Sequence, residues 1–287
     1  MLLKAVEYAR PGTVDEALGL LAEHDGAAPL AGGQSLVNVL KNRVASVELL
    51  VDVSVLDELR QIRTGADGSV EIGACVTYDE LDHSAEVRAA HRVLAEVAAH
   101  IEDQQIRNKG TIGGNCCLSD PTNNLPPLLV ALDARMNVRS LNGSRTVPAG
   151  EFFKGYFYTA LEPSELLTSI TVPALGAHTG AGYESLNVAT DAKTIVRAAA
   201  VIQADGVIGE ARVVLARVAP IPVRYEAMEE ALRGCTAEAA AVASAAEAVP
   251  VSFEPLADTH GSTAYRREMA KVIALRAVNK AMEEVGR

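Results

Sequence analysis

The sequence predicts an α+β protein with two domains, and three features of the chain support this prediction. A chain of 287 residues is longer than most single hydrophobic cores allow. Short apolar runs alternate with helical patterns over residues 1–175, whereas residues 179–287 place three apolar strands before alanine-rich helices. Between these parts, residues 173–182 (PALGAHTGAG) are rich in Gly and Pro and lack periodicity, which is typical of a linker.

Residues 1 to about 54 form the first predicted subdomain, with the order β-α-β-α-β. Its first strand precedes a helix, and Thr13 and Glu16 stand at the spacing of a capping box that opens this helix. A short apolar strand breaks at Gly32, a brief helix follows, and residues 47–54 (VELLVDVS) predict the third strand.

Residues 55–175 form the second predicted subdomain, in which strands and helices are mixed. Its glycine-rich stretch, TIGGNCCLSDPTNN, begins at Thr111. The predicted strands are 68–78, 135–140 and 165–173, and the predicted helices are 78–84, 90–101 and 125–134.

The C-terminal part predicts a sheet of three antiparallel strands that is followed by helices. The strands are expected at 183–189, 194–204 and 209–219, and the alanine-rich helices between 223 and 248. The last helix begins near Ser262, and we expect one apolar stripe of it to face the core, formed by Tyr265, Met269, Val272, Leu275, Val278 and Met282. The abundance of alanine predicts close packing of these helices.

The charge of the chain excludes several classes of partner. The formal net charge is −11 and the isoelectric point is near 5.1, so we expect neither nucleic acid nor an anionic membrane surface to bind. No apolar run reaches the ~18 residues that span a bilayer. The N-terminal residues lack the apolar core of a secretory signal. The sequence therefore predicts a cytoplasmic protein without membrane insertion.

The cysteine and histidine positions argue against a metal site in this chain. Cys75, Cys116, Cys117 and Cys235 include no C-x-x-C pair, the spacing that zinc and iron–sulfur sites normally use. The six His residues include no H-E-x-x-H motif. We therefore expect no bound metal, and we expect reduced thiols that pack as small apolar side chains.

Two glycine-rich segments, 31–35 (AGGQS) and 111–115 (TIGGN), indicate a ligand site. Glycine permits positive φ and has no Cβ, so the backbone N–H groups of such a segment can converge on an anion. A helix that starts near Ser35 adds the positive end of its dipole, and the hydroxyls of Ser35 and Thr111 add donors. Two such segments suit a diphosphate that no Lys or Arg neutralises.

Neither segment fits a standard nucleotide motif. G-x-G-x-x-G and G-x-x-x-x-G-K-[ST] are both absent, which excludes a nicotinamide Rossmann site and a P-loop ATPase. A Gly-Gly pair is often only a turn. The residues alone thus leave two alternatives open, a pair of simple turns and a non-catalytic module that holds a nucleotide or a phosphorylated ligand.

Four separated stretches resemble one family. LAGGQSL and QIRNKGTIGGN resemble the FAD-binding medium subunit of the molybdenum hydroxylases, which include carbon monoxide dehydrogenase and xanthine dehydrogenase. Residues 152–173 (FFKGYFYTALEPSELLTSITVP) and the stretch TAYRREMAKVIALRAV resemble two further signatures of that family. The resemblance implies a two-part FAD-binding domain of the PCMH type, similar to that of vanillyl-alcohol oxidase, followed by a small C-terminal domain.

In that family the diphosphate of FAD lies between the two glycine-rich segments. The resemblance also implies, more loosely, apolar contacts from two further positions and a lysine near the flavin. The implied cofactor-binding residues of these groups are Pro29, Leu30, Ala31, Gly32, Gly33, Gln34, Ser35, Leu36, Ile101, Thr111, Ile112, Gly113, Gly114, Asn115, Leu167 and Lys193. Lys193 equally fits a solvated surface charge.

Three polar positions refine this expectation. Relatives usually carry Asp where this chain has Asn124, and asparagine keeps a carbonyl acceptor without the charge, so we expect weaker binding of FAD there. Asp120, a second implied contact, either compensates for this loss or caps the following turn. Gln34 stands where some flavoproteins of this broad fold attach FAD through a His, so we expect non-covalent FAD.

The resemblance implies an electron-transfer subunit rather than a complete enzyme. A small partner would carry two [2Fe-2S] clusters, a large partner would carry the molybdenum cofactor, and the assembly would be a dimer of heterotrimers. FAD would pass the electrons to an external acceptor. We predict no catalytic residue, because the flavin would carry the chemistry. The alternative is an autonomous flavin oxidase of the same fold with its own substrate.

Overall fold

A computed structural model describes residues 4–188, 193–247 and 251–286 of the chain. Its strands are β1 (Glu7–Ala9), β2 (Ala27–Leu30), β3 (Leu49–Asp52), β4 (Ile62–Thr64), β5 (Val70–Gly73), β6 (Arg135–Ser140), β7 (Gly143–Pro148), β8 (Phe153–Gly155), β9 (Tyr158–Thr159), β10 (Leu166–Val172), β11 (Thr179–Val188), β12 (Lys193–Asp205), β13 (Val207–Ala216) and β14 (Val223–Arg224). Its α-helices are α1 (Val14–Glu23), α2 (Leu36–Lys41), α3 (Tyr78–His83), α4 (Ala85–Ala90), α5 (Arg92–Ala99), α6 (Gln104–Arg107), α7 (Ile112–Leu118), α8 (Leu125–Ala131), α9 (Ala149–Phe152), α10 (Glu226–Leu232), α11 (Ala239–Glu247) and α12 (Thr263–Glu284).

The predicted β-α-β-α-β order of the first subdomain is confirmed. Strands β1, β3 and β2 pair in that order as a parallel sheet, and α1 packs on it through buried Ala17 and Leu18. The Oγ1 atom of Thr13 accepts a hydrogen bond from the amide of Glu16 at 3.1 Å. The Glu16 carboxylate accepts from the amide of Gly12 instead of closing the predicted capping box, which is therefore half formed.

The second sheet is antiparallel, with the strand order β4-β5-β10-β6-β7. It shares a core with the helices that lie between β5 and β6 in the chain, and Ile72, Leu81, Leu94 and Leu128 are fully buried in this core. The predicted strands and helices of this part are present with shorter bounds. Strand β7 was not predicted, because it is an edge strand whose side chains are almost all exposed and lack apolar alternation.

The C-terminal sheet is antiparallel, with the order β11-β12-β13-β14. The three long strands agree with the prediction, and the two-residue β14 joins them as a fourth strand that is too short to show a periodic pattern. The predicted linker, 173–182, extends too far, since its last four residues begin β11. The domain boundaries themselves stay a prediction.

Helix α12 packs on this sheet through a face that matches the predicted stripe only in part. Val278 of that stripe is buried, and Met269, Leu275 and Met282 pack half-buried against this core. Its buried residues are Arg266, Ala270, Ile273, Ala274, Ala277, Val278 and Ala281, whereas Tyr265 and Val272 of the predicted stripe are 45% and 39% exposed. The cause lies in β11, where a Cβ on Gly180 would be 2.1 Å from the carbonyl oxygen of Ala281. The helix backbone rests directly on a glycine strand, which favours its alanine face.

The two domains share a core. Ala199 and Val201 of β12 and Val214 of β13 belong to the same buried cluster as Leu128 of α8. The C-terminal sheet therefore packs against the first domain next to the segment that follows the second glycine pair.

No helix in the described part of the chain is both long enough and apolar enough to cross a bilayer.

Candidate cofactor site at the two glycine-rich segments

The first glycine-rich segment connects β2 to α2 at the carboxyl edge of the parallel sheet. Gly33 adopts φ of +71°, a conformation that favours glycine. The amides of residues 32–36 donate to no acceptor in the described chain. The Gln34 side chain donates from Nε2 to the carbonyl of Gly32 at 2.9 Å and thereby braces the turn. This segment thus offers the free backbone donors that the sequence predicts.

The second segment, TIGGN, is the first turn of helix α7 rather than an open loop. Thr111 caps the helix, and its Oγ1 accepts from the amide of Gly114 at 3.0 Å. The amides of Ile112 and Gly113 donate to the carbonyls of Val76 and Ala74, at 3.0 Å and 2.9 Å. The prediction that these backbone amides are free for a ligand is therefore wrong, because they tie the helix to the end of β5. The segment contributes the positive end of a short helix.

The structure brings the two segments into contact. A Cβ on Gly32 would lie 1.9 Å from the carbonyl oxygen of Lys109 and 2.9 Å from the Cα of Gly110. Gly32 therefore lies directly against the backbone that leads into Thr111, and a residue with a side chain does not fit there. Segments about eighty positions apart in the sequence thus form one continuous surface.

Asn115 supplies a polar atom that the protein itself leaves unsatisfied. The residue is 7% exposed, and its Nδ2 donates to the hydroxyl of Tyr78 at 3.0 Å. Its Oδ1 is buried and has no hydrogen-bond partner in the described chain. Buried polar atoms are normally paired. The free amides of residues 32–36 and this orphaned acceptor fit a polar ligand such as the diphosphate and sugar groups of a dinucleotide.

The segment after α7, residues 119–124, folds back under this surface. The Oδ1 of Asp120 accepts hydrogen bonds from the amide and the hydroxyl of Thr122, at 2.8 Å and 2.7 Å. Asp120 thus caps the following turn, which is one of the two roles predicted for it. The side chain of Asn123 donates to the carbonyl of Asn115 at 2.7 Å. Asn124 is half-buried and lines a cavity between the two domains.

Two donors from the C-terminal sheet hold this segment, and sequence reasoning missed both. Arg197 Nη1 donates to the carbonyl of Thr122, and the hydroxyl of Tyr183 donates to the carbonyl of Asn124 at 3.0 Å. Burial raises the pKa of Tyr183 to about 12, which keeps the phenol protonated as a donor. A lone arginine inside the apolar run TIVRAAAVI was the available indication.

The inter-domain cavity has a volume of about 1250 Å³. Its walls combine several residues between 88 and 103 of the first domain, Ile101 not among them, with β11, Arg197 and the end of α12. Two of the loosely predicted contacts lie elsewhere, because Ile101 and Leu167 are 3% and 5% exposed within the core. The backbone of Lys193 pairs with Val188 at the start of β12, and its side chain lies outside the described part of the structure. Direct contacts from these three residues stay predictions.

The cysteines are free thiols in largely apolar surroundings. Cys75 and Cys116 are buried, and Cys117 and Cys235 are half-buried. Burial raises the pKa of Cys75 and of Cys117 to about 12, so neither is a ready thiolate. Within residues 4–188, 193–247 and 251–286, no cluster of three His, Cys, Asp or Glu side chains could hold a metal ion.

Comparison with protein families decides the class of this chain. Residues 4–175 match the family described as FAD binding domain in molybdopterin dehydrogenase, and residues 181–281 match the CO dehydrogenase flavoprotein C-terminal domain. The chain belongs to the molybdopterin dehydrogenase flavoproteins. FAD is therefore the cofactor of its first domain, and the predicted fold class is confirmed.

Individual relatives match this flavoprotein along its whole length. The medium chain of carbon monoxide dehydrogenase from Hydrogenophaga pseudoflava is 38% identical over 98% of both chains. A solved structure of that dehydrogenase, which lacks the Mo-pyranopterin moiety of the molybdenum cofactor, superposes with a TM-score of 0.94 at 39% identity, with all of both chains covered. Quinoline 2-oxidoreductase from Pseudomonas putida 86 superposes with a TM-score of 0.92 at 31% identity, with 99% of both chains covered. The flavoprotein is thus an oxidoreductase subunit.

Proposed function

We propose that this flavoprotein binds FAD non-covalently and transfers electrons inside a heterotrimeric molybdenum hydroxylase. The observation that carries the proposal is the contact between Gly32 and the backbone at Lys109, which joins the two glycine-rich segments into one cradle. The free amides of residues 32–36 would hold the diphosphate, with the start of α7 facing it. Backbone dipoles allow this in a chain of net charge −11.

The remaining residues would orient the cofactor and do no bond-breaking chemistry of their own. The buried Oδ1 of Asn115 would accept a hydrogen bond from FAD, and Asn124 would face the ligand from the cavity wall. Bound FAD supplies the ability to take up and release electrons. The protein would provide position, exclusion of water and electrostatics.

The partners would be a small subunit with two [2Fe-2S] clusters and a large subunit with the molybdenum cofactor. Two points support this division. The chain matches relatives that are themselves named medium chains, and its four cysteines are too few to ligate two clusters. The large subunit would set the substrate, in line with the different substrates, carbon monoxide and quinoline, of two relatives with the same fold. We infer a dimer of heterotrimers in the cytoplasm and an external electron acceptor.

Binding of FAD by the purified chain tests the first part of this proposal. We expect about one flavin per chain after gel filtration, with release of intact FAD on denaturation because the bond is non-covalent. A protein that is incubated with excess FAD and is colourless after gel filtration would contradict the proposal. Copurification with an iron–sulfur protein and a large molybdenum protein encoded by flanking genes tests the second part. Oxidation of an organic substrate by the pure, FAD-loaded chain alone would instead support an autonomous oxidase.

A further inference from the structure

Helix α8 lies between the segment that follows the second glycine pair and the C-terminal sheet. All seven of its residues are buried, and it packs on strands β12 and β13. Residues 119–124 lead into its first turn, and Asp133 follows its last turn. The C-terminal sheet therefore has access to both ends of one buried helix.

Two side chains of the sheet hold the first end of α8. The hydroxyl of Tyr183 donates to the carbonyl of Asn124 at 3.0 Å, and Arg197 Nη1 donates to the carbonyl of Thr122. Tyr183 of β11 is paired with Ala199 of β12, two positions after Arg197, so both side chains lie on the sheet face that packs on α8. They form one clamp on the backbone of residues 122–124.

A separate ion pair holds the other end of α8. Arg212 of β13 is paired with Val201 of β12 and contacts the carboxylate of Asp133. About 10 Å of helix separates this ion pair from residues 119–124. The same interface between the domains thus has one bond at the candidate site and one away from it, so their effects can be separated.

The clamp on residues 122–124 continues to the glycine-rich segments through Asn123. Its Nδ2 donates to the carbonyl of Asn115 at 2.7 Å. Asn115 belongs to the segment TIGGN and carries the buried Oδ1 that has no partner in the described chain. Bonds to the carbonyls of Thr122 and Asn124, one on each side of Asn123, therefore fix the donor that holds Asn115.

The stability of the fold does not by itself account for Arg197. The side chain is 2% exposed, forms no ion pair with a described carboxylate, and has a buried Nε without a partner. The equally buried Arg266, by contrast, pairs with Asp258 at 2.6 Å. Replacement of a buried ion by an apolar residue of similar volume is often neutral or stabilising. The bond of Arg197 to Thr122 is thus better explained by what it positions.

We propose that Tyr183 and Arg197 are positioning residues for FAD, which fix residues 122–124 and, through Asn123, hold Asn115 where it meets the cofactor. This inference rests on the proposed function. Because coupling between two binding events is reciprocal, bound FAD would in turn strengthen the hold of the C-terminal sheet on this segment.

The test measures the dissociation constant of FAD for the full-length protein by quenching of flavin fluorescence, and the urea denaturation of the FAD-free protein. In Tyr183→Phe, which loses one hydroxyl, we expect the affinity for FAD to fall about fivefold. In Arg197→Met, which loses a charged donor, we expect a fall of about tenfold. The denaturation midpoint of Arg197→Met should change little, since removal of an unpaired buried charge offsets the lost hydrogen bond.

Two further variants separate positioning from general docking of the domains. Arg212→Met is the matched control, because it makes the same substitution at the other end of α8. It should lower the denaturation midpoint through loss of the ion pair with Asp133 and change the affinity for FAD by less than about twofold. Asn123→Ala removes the link to Asn115, and in this background Arg197→Met should weaken FAD binding only about twofold.

An equal loss of FAD affinity in Arg212→Met would overturn this inference, because general docking would then account for the effect. Unchanged affinity in Tyr183→Phe and Arg197→Met would overturn it and leave the proposed function intact, and so would fully additive losses in the Arg197→Met, Asn123→Ala double variant. If Arg197→Met does not fold, the comparison of Tyr183→Phe with Arg212→Met decides. Failure of the unaltered protein to bind FAD would refute the proposed function itself.

Discussion

Replacement of Gly32 by alanine should break the contact between the two glycine-rich segments. The added Cβ would lie 1.9 Å from the carbonyl oxygen of Lys109 and 2.7 Å from its carbonyl carbon. Both atoms belong to the backbone, so no rotation of a side chain relieves the clash. The segments have to move apart by about 1.5 Å to reach ordinary van der Waals distance.

The expected size of this effect follows from overpacking in a close-packed region. Insertion of a methyl group against rigid neighbours destabilises proteins by about 1–3 kcal/mol. We place Gly32→Ala at about 3 kcal/mol, since the obstacle is backbone. If the separation acts mainly on the cradle, the same energy corresponds to a loss of FAD affinity of about 150-fold. Quenching of flavin fluorescence gives the dissociation constant, and urea denaturation gives the free energy of unfolding.

Gly19→Ala is the matched control for this variant. Gly19 lies within α1, and a Cβ there would have no heavy atom within 4 Å. The control should therefore bind FAD normally and gain up to about 1 kcal/mol of stability from its higher helix propensity. A Gly32→Ala protein with the FAD affinity and stability of the unaltered chain would refute the inferred contact between the segments.

Three further predictions concern other residues of the protein. Asn115→Leu removes the buried acceptor Oδ1, so it should weaken FAD binding about tenfold in a titration of flavin fluorescence. Tyr78→Phe loses only the internal hydrogen bond to Asn115 and should bind FAD normally in this titration. Asp258→Asn should cost about 3 kcal/mol in urea denaturation because it leaves Arg266 buried and unpaired. Burial would raise the pKa of Asp258, but hydrogen bonds from the His260 amide and from Arg266 hold this pKa at about 2. The Asp258 carboxylate therefore stabilises the fold above pH ~4, and this contribution is lost as the pH falls toward 2. The Asp258→Asn protein should not show that loss of stability. Burial lowers the pKa of His91 in the folded protein. Below pH 6.5 the imidazole is therefore protonated in the unfolded chain while it is still neutral in the folded one. As the pH falls through this range, the free energy of unfolding should decrease by up to about 1.4 kcal/mol per pH unit. His91→Gln should remove that slope in denaturation curves at pH 5 to 7, and an unchanged slope would contradict the assignment.

The sequence predicted most strands and the longer helices because hydrophobic periodicity and helix caps are local properties. Thr13 was placed correctly at the N-cap of α1, and α12 begins as expected near Ser262, which is its N-cap. The buried face of α12 was predicted only in part. Val278 is buried as expected, but hydrophobicity also favoured Tyr265 and Val272, whereas the bare backbone at Gly180 selected small residues. That choice depends on a strand some ninety positions away, which a helical pattern does not reveal.

The structure places the two predicted glycine-rich segments in contact, but the expected freedom of their backbone amides holds only for the first segment, and the full set of cofactor contacts stays a prediction. Glycine at 32 was expected to free backbone donors, and the structure adds a second reason, its contact with Lys109. Glycine at 113 was expected to do the same, yet a Cβ there would lie 2.5 Å from the carbonyl of Ala74, so this glycine permits close packing of α7. A glycine pair has the same appearance in a sequence whether it serves a ligand or a neighbouring backbone.

The C-terminal sheet holds the segment that follows the second glycine pair, so we expect both parts of the chain to contribute to the cofactor site. Tyr183 and Arg197 hold the carbonyls of residues 122–124, and Asn123 in turn holds the carbonyl of Asn115 beside the glycine cradle. A chain ending at residue 175 would lose both donors and expose the apolar side of α8. We therefore expect placement of the C-terminal sheet against the first domain to be required for an ordered cofactor site.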